Sequence, residues 1–589
     1  MSRSDINNDF PALFNLYGTD FLNPCFHFGF WSDEQPDLNM EEAQKNMVEH
    51  LLSFFPAPPA AVLEVGSSLG SLLAQKGYEV ISILPHKEVL EYAKQTDVNR
   101  TEFKVPGFFD QDEIVFSKER YDVLFFEESL RYPNLLDDVF KKSRKLLKGK
   151  GFVIIGAEVC YDKSITSETA AHLPTDFTIA LAENGFYIVE NRKLGKNVLS
   201  TFDFIIDAFT ENLKKIISAS SDPDAAEKIL FYLNLWKKQK TWYLDGKMGY
   251  EIIVARKDDF FVKPYLLGDE HEILPMFNEI FNVNRTMDHW YWKFRDNPYG
   301  SHKITEVFSK QGDLVAHYAG YPVPFYSSIN KPETFISCQI GDTMTKPSGR
   351  NIGLGKTSLL ARSSHYFYAK FCEEVPFIYG FNTGTIKKLG MRYLGYTYID
   401  PVTYWVRDIL KNSFNPLNLF ARLLSGFVVE EVQSVNDEWD DLFNRVCFSY
   451  KLLVKRDATY VSWRYVECPD KIHRIFSVRR KGRLIGWSVF TRKDDRLIWG
   501  DALFDNGYPE SVSYLLQNLL KHYFLGVKTI EGWYSRHPEW WSRQLKELGF
   551  KIVSEPNNLT PGFFIFDDPS LLEKLQHYFY YTMGDSDLF

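Results

Sequence analysis

The stretch of the 589-residue sequence richest in usable chemistry is Ile340-Gly-Asp-Thr-Met-Thr-Lys-Pro-Ser-Gly-Arg350-Asn-Ile-Gly353-Leu-Gly355-Lys-Thr-Ser-Leu-Leu360. Its pattern predicts a strand ending at a proline-containing turn, then a glycine-rich segment that opens an amphipathic helix. Backbone N–H groups at a helix start lack intrahelical partners, so they suit a pyrophosphate. Gly353 and Gly355 let the main chain approach an anion closely, and Arg350 and Lys356 add positive charge. The GxxxxGK[ST] spacing of a Walker loop is absent, because one residue too many separates Gly349 from Gly355. Asp342, at the expected strand end, is the nearest carboxylate that could serve as a general base. Glu373 and Glu374 are more distant candidates. Gly500-Asp501 repeats the Gly-Asp pair where no phosphate loop follows, so a bracing role for Asp342 is the alternative.

A second candidate lies near the start of the chain. Val62-Leu-Glu-Val65 reads as a short buried strand, followed by the turn Gly66-Ser-Ser68-Leu-Gly70 and a short helix. Strand, glycine-bearing turn and helix together bring backbone to a cofactor at the carboxyl edge of a parallel sheet. Tyr78-Glu-Val-Ile-Ser-Ile83, Tyr121-Asp-Val-Leu-Phe-Phe126 and Gly149-Lys-Gly-Phe-Val-Ile-Ile155 continue the strands, with a basic-ended helix from Leu135 to Leu147. Continuous apolar strands alternating with amphipathic helices predict a parallel sheet covered on both faces.

Beyond Asp258-Asp259 the pattern changes and repeats. Trp292-Lys-Phe-Arg-Asp-Asn-Pro298 matches Trp463-Arg-Tyr-Val-Glu-Cys-Pro469, and Gly312-Asp-Leu-Val-Ala316 matches Gly482-Arg-Leu-Ile-Gly486. Gly341-Asp-Thr-Met344 matches Gly500-Asp-Ala-Leu503, each expected at a strand end. Ile386-Lys-Lys-Leu-Gly-Met391 matches Leu545-Lys-Glu-Leu-Gly-Phe550, each expected at a helix end with glycine as the cap. The expected organisation is α/β and multidomain: a doubly wound, Rossmann-like domain over 1–258, then α+β mixed-sheet copies over 259–410 and 411–589. In the second copy Asp505-Asn-Gly-Tyr-Pro-Glu510 replaces the phosphate loop with two acids and no base, which would repel a pyrophosphate. Trp292 and Trp463 are expected as packing residues of the repeat, with stacking on a substrate as the alternative.

On these motifs the first segment resembles a class I S-adenosylmethionine-dependent methyltransferase. The resemblance implies that Glu64, Gly66, Ser68 and Gly70 hold the methionine end of the cofactor and that Glu127 flanks it. Phe26-His-Phe-Gly-Phe-Trp31 and Glu41-Glu-Ala-Gln44 look like the lid of small-molecule members. Two positions depart from the family: Ser68 replaces a glycine, and Leu84 stands where a carboxylate would bind the ribose hydroxyls. The Arg-x-x-Gly-x-Gly pattern, with Phe377-Ile-Tyr-Gly-Phe-Asn382 downstream, resembles the GNAT acyltransferases. That resemblance implies acetyl-CoA or another acyl-CoA with its pyrophosphate on Arg350, Asn351, Ile352, Gly353, Leu354, Gly355 and Lys356. Met344 and Thr345 would line the pantetheine, an N–H near Met344 would polarise the thioester carbonyl, and Asn382 would face the cofactor. The family's tyrosine acid has no counterpart in Thr383-Gly-Thr-Ile386, and Tyr393 and Tyr396 come late.

Composition bounds the partners. There are 68 Lys+Arg against 77 Asp+Glu, a net charge of −9, and 45 % hydrophobic residues. This excludes a mostly disordered chain and argues against a basic nucleic-acid surface. Aromatic residues reach 16 %, enough for large cores. Six scattered cysteines without a CxxC pair imply a reducing compartment and no metal site. No secretory h-region and no apolar run of about 18 residues is present, so the expectation is cytoplasmic, with a small-molecule acceptor and neither nucleic-acid nor membrane partners. The leading expectation is acyl-CoA-dependent N-acyl transfer beside a methyltransferase-like domain. The alternatives are methyl transfer with the repeat holding the acceptor, and a non-catalytic scaffold.

Overall fold

Residues 27–66, 69–83, 102–104, 118–130, 135–169, 171–219, 224–409, 426–470 and 472–589 are described by a computed structural model. The chain forms two units, Met1–Lys263 with Phe308–Gly312, and Pro264–Val307 with Asp313–Phe589. In the first, β1 (Ala61–Val65), β2 (Glu79–Ile83), β3 (Glu102–Lys104), β4 (Tyr121–Glu127), β5 (Leu147–Cys160), β6 (Phe186–Lys193) and β7 (Met248–Lys257) make one sheet in the order 3-2-1-4-5-7-6. Strands β1 to β5 are parallel; β7 runs antiparallel to both β5 and β6. Alternate strand residues enter opposite cores, as the two-residue period requires. Val62, Val123, Phe125 and Ile154 face α1 (Met40–Leu52), α5 (Leu199–Ala219) and α6 (Ala225–Leu244). Leu63, Leu124, Phe126 and Ile155 face α3 (Leu136–Leu146) and α4 (Pro174–Glu183). Leu136, Val139, Phe140, Ser143 and Leu146 give α3 its buried stripe at helical spacing. The short helix after the glycine turn, α2 (Gly70–Gln75), has six residues.

The second unit holds both copies of the repeat. Its strands are β8 (Leu314–Ser327), β9 (Glu333–Thr345), β10 (Phe377–Asn382), β11 (Thr397–Tyr398), β12 (Tyr404–Asp408), β13 (Phe427–Val432) and β14 (Leu452–Val454). They continue with β15 (Arg474–Arg480), β16 (Arg483–Lys493), β17 (Arg496–Phe504), β18 (Thr529–Trp533), β19 (Lys551–Val553), β20 (Thr560–Ile565) and β21 (Phe579–Tyr580). The main path of one sheet runs β11-β20-β10-β9-β8-β14-β21, with the strand Lys303–Ser309 also pairing β8 off this path, and the other sheet runs β13-β15-β16-β17-β18-β12-β19. Each sheet therefore contains strands from the opposite copy, β14, β20 and β21 in the first and β12 in the second. β20 lies between β10 and β11, with Phe377 opposite Ile565 and Asn382 opposite Thr560. β12 lies between β18 and β19, with Tyr404 opposite Trp533 and Asp408 opposite Thr529. Neither copy can close its sheet alone, and apart from 259–263 and 308–312 the segments 259–410 and 411–589 share one unit.

The repeat is also visible in its turns. Met287–Trp290 continues into the π-helical turn Tyr291–Arg295, and Ala458–Val461 into Ser462–Val466. Trp292 and Trp463, 171 residues apart, stack at 5.2 Å. The Trp292 indole donates to the Trp463 carbonyl at 2.6 Å, and the Trp463 indole to the Trp292 carbonyl at 3.0 Å. Such reciprocity is what a two-fold relation produces. Both rings are buried, so they serve packing. One expected cap is corrected. Gly390 lies within α8 (Gly384–Tyr393), where a Cβ would come 2.4 Å from the Tyr398 hydroxyl, and Gly395, at φ +76°, follows the helix end. Gly549, at φ +83°, does follow its helix. Gly341-Asp342 and Gly500-Asp501 lie inside β9 and β17 rather than at their ends.

Candidate functional site

The loop after β9 differs from expectation in where the helix begins. Two single turns, Pro347–Gly349 and Gly355–Thr357, precede α7 (Leu359–Phe371). Its cap is Ser358, whose hydroxyl accepts from Ala361 N at 3.3 Å. The glycines thus shape a loop ahead of the helix. Within that loop the N–H groups of Ile352, Leu354 and Thr357 are taken by Gly349 O, Thr357 Oγ1 and Leu354 O. Among the described residues, the N–H groups of Asn351, Gly353, Gly355 and Lys356 have no acceptor. Gly353 has φ +68° and a Cβ there would come 2.0 Å from the Thr357 carbonyl oxygen. Gly355 has φ +59° and packs against the Tyr393 ring, 2.8 Å from where its Cβ would be. Arg350 and Lys356 are exposed, and the Arg350 Nε donates to Thr345 O at 3.2 Å. Amides without acceptors, spaced through a positive-φ turn and flanked by cations, are an arrangement that suits an anion.

Beside this loop the sheet opens. β9 and β10 pair in parallel only at Cys338 with Ile378 and Gln339 with Tyr379. β10 is paired with β20 on its other edge along its whole length, from Phe377 to Asn382, while β9 stays with β8 through a bulge. The register steps from Ala319–Gly341 to His317–Met344, leaving Asp342 and Thr343 opposite one residue. Asp342 takes φ +55° there. Met344 is buried and Thr345 half-buried along the opening. Asn382, at the end of β10, donates to the Tyr398 hydroxyl at 3.2 Å. Tyr396 is buried and bonded to Tyr318 at 2.9 Å, which excludes it as a proton donor to a substrate.

Asp342 does not have the surroundings of a base. The Lys293 ammonium lies 2.9 Å from its Oδ1, and the Arg285 guanidinium donates to its Oδ2. Burial would raise its pKa, but these two cations outweigh burial and hold it well below the usual carboxylate range. A carboxylate of such low basicity braces the bulge. A related pair occurs in the second copy, where Arg456, the counterpart of Arg285, bonds Asp501, the counterpart of Asp342, at 2.9 Å. The sequence carried this signal in the Arg285–Arg456 pair, whereas Arg464, the counterpart of Lys293, donates to the carbonyls of Gly584, Ser586 and Phe589.

The equivalent opening in the second copy is filled by the chain itself. β17 and β18 pair only from Arg496 with Thr529 to Ile498 with Glu531. Beyond that, Tyr580 donates to Ala502 O at 2.8 Å, Thr582 to Asp501 at 2.9 Å, and Tyr534 bridges Thr582. A Cβ on Gly500 would come 1.8 Å from the Phe589 ring. The turn at Asp505 is bound by its own groups, with Arg445 at 3.0 Å and Gly507 N at 2.9 Å.

In the first unit the strand order reverses between β1 and β4, the switch point where ligands bind in such sheets. Glu64 is fully buried there and accepts from Leu69 N at 2.8 Å and from the Ser82 hydroxyl, so its carboxylate ties the turn to β2. Gly66, at φ +99°, leaves 2.3 Å between its missing Cβ and Ser129. Gly70 is buried at the start of α2. Glu127 is buried with His27 3.8 Å away, and Glu128 accepts from Phe28 N at 2.9 Å. Burial lowers the His27 pKa, against the pull of Glu128. Ser68, Leu84 and Phe26 lie outside the described residues. Among the described residues no group of His, Cys, Asp or Glu gathers to hold a metal, and no helix is long and apolar enough to cross a membrane.

No family model matches the sequence, and no curated protein matches it. Among solved structures it is similar to the cyclopropane synthase MmaA2 from Mycobacterium tuberculosis, at 16 % identity and TM-score 0.36, over 43 % of this chain and 95 % of that one. A putative sarcosine dimethylglycine methyltransferase from Galdieria sulphuraria is 15 % identical at TM-score 0.34, over 42 % and 97 %. A geranyl diphosphate C-methyltransferase from Streptomyces coelicolor is 15 % identical at TM-score 0.30, over 42 % and 96 %. Scores this low carry no argument about activity.

Proposed function

We propose that the second unit is an acyl-CoA-dependent N-acyltransferase acting on an amine of a small molecule. The observation that carries this reading is the set of acceptor-free N–H groups at Asn351, Gly353, Gly355 and Lys356, in a turn whose glycines admit no side chain. A diphosphate there would be met by four main-chain donors and by Arg350 and Lys356. The pantetheine arm would then follow Thr345 and Met344 into the opening between β9 and β10. Its thioester would reach the bulge, where a main-chain donor near Met344 could stabilise the developing oxyanion. The filled opening of the second copy leaves that copy a structural partner, supplying β20 to the working sheet.

Methyl transfer from S-adenosylmethionine in the first unit is the second reading, favoured by the switch point and by Gly66 at its turn. The internal use of the Glu64 carboxylate weighs against it. Titration calorimetry with acetyl-CoA tests the main reading. The wild-type chain is expected to bind, Gly353→Ala and Arg350→Glu to lose at least about tenfold in affinity, a change of about 1.4 kcal/mol, and Glu64→Gln to leave it unchanged. Absence of binding by the wild-type chain, or loss through Glu64→Gln alone, refutes it.

A further inference from the structure

We propose that Asp587, on the segment after β21, is the carboxylate that receives the acceptor's ammonium group and takes its proton. The inference rests on the acyl-transfer reading. Gln339 and Gly341 point to one face of β9, since strand residues two apart share a face. Tyr379 donates to Gln339 at 3.2 Å across the last β9–β10 pair, and Tyr321 lies opposite Gln339 on β8, so both rings line the same face. Gly341 is the next residue of that face beyond the last pair with β10. A Cβ there would come 2.6 Å from Asp587 Oδ2 and 2.9 Å from Lys293 Nζ. Glycine thus lets a carboxylate rest directly on the strand where the sheet parts. Unlike Asp342, Asp587 keeps 29 % of its side chain exposed. Among the described residues its cation partner is Lys293 at 3.5 Å, which is committed to Asp342 at 2.9 Å. Among the described residues Oδ1 has no partner. Tyr321, from β8, also faces it.

The step balances as follows. The Asp587 carboxylate takes one proton from the acceptor's R–NH3+, and the freed lone pair forms a C–N bond to the thioester carbonyl carbon. Collapse of the tetrahedral adduct breaks the C–S bond, the CoA thiolate takes the second nitrogen proton, and Asp587 returns its proton to water.

The test uses the full chain, acetyl-CoA and two probe acceptors near neutral pH: hydroxylamine, which is uncharged, and methylamine, which is an ammonium. Release of CoA thiol is followed, and acetyl-CoA binding is measured in parallel. Asp587→Asn is expected to leave acetyl-CoA binding and hydroxylamine-dependent release within twofold. Methylamine-dependent release should fall about 100-fold and climb with pH toward the amine's own ionisation. Equal loss with both probes, no loss with either, or methylamine release by the wild-type chain no faster than by Arg350→Glu overturns the role of Asp587. Failure of the wild-type chain to bind acetyl-CoA is a different result and overturns the acyl-transfer reading itself.

Discussion

His317 shows how the bulge in β9 couples charge to stability. Its Nδ1 lies 2.8 Å from the carbonyl oxygen of Asp342, which can only accept, so Nδ1 carries the proton of a neutral ring. Burial pushes its pKa down to about 4, opposed by Asp342 and reinforced by the nearby Lys293 and Arg285 cations. A histidine with a folded pKa below its unfolded value binds fewer protons folded than unfolded in the window between them. Its contribution is therefore complete above the unfolded value of 6.5 and is lost as pH falls from there toward about 4. The full difference is on the order of 3 kcal/mol. Urea unfolding of the second unit should lose up to about 1.4 kcal/mol per pH unit through this window, and His317→Gln should flatten that slope by one proton. An unchanged slope in the variant would show that His317 is already protonated in the folded state. Asp342 works in the opposite range: its lowered pKa gives stability above the ordinary carboxylate value that is lost only in stronger acid.

At the scale of elements, the exchanged strands make a sharp prediction. β12 belongs by sequence to the first copy but pairs with β18 and β19; β20 belongs to the second but pairs with β10 and β11. Native-state hydrogen exchange should give the amides of β10, β12, β18 and β20 one common opening free energy, because no sheet can open without stripping a strand from the other. Two separated values would mean that the copies unfold independently. This exchange was not legible in the sequence. Tyr404–Asp408 and Thr560–Ile565 are short runs whose apolar pattern suits either sheet, and pairing partners more than a hundred residues away leave no local period. The β1–β5 alternation and the α3 stripe were legible, because period alone decides them. The loop's conformation was legible through its glycines, although the helix start was misplaced by two intervening turns. Asp342 read as a base because its residue type and position were visible, while the cations that disable it, Arg285 and Lys293, lie about fifty residues upstream. Asp587 was hidden in a tail with no motif, and only the fold lays it against Gly341.

For the whole molecule, the question is which unit answers to which ligand. The first unit has its own two cores on the faces of one sheet, and the second closes its two sheets on each other's strands. Ten of the thirteen tryptophans, all but Trp31, Trp236 and Trp242, belong to the second unit, so indole fluorescence follows mainly its unfolding. A ligand at about 100 times its Kd adds about 2.7 kcal/mol to the state that binds it. Acetyl-CoA at such a level should raise the fluorescence-detected midpoint by a few degrees and leave any separate calorimetric transition of the first unit in place. S-adenosylmethionine should move only that other transition, and only if the switch point still accepts a cofactor with Glu64 turned inward. A rise of the fluorescence midpoint with S-adenosylmethionine and none with acetyl-CoA would reverse the assignment, because the loop 351–356 lies wholly within the unit that the tryptophans report. The common strand exchange further requires that the acetyl-CoA shift appear in one transition, since stabilising the first copy's loop stabilises the sheet that the second copy helps to build.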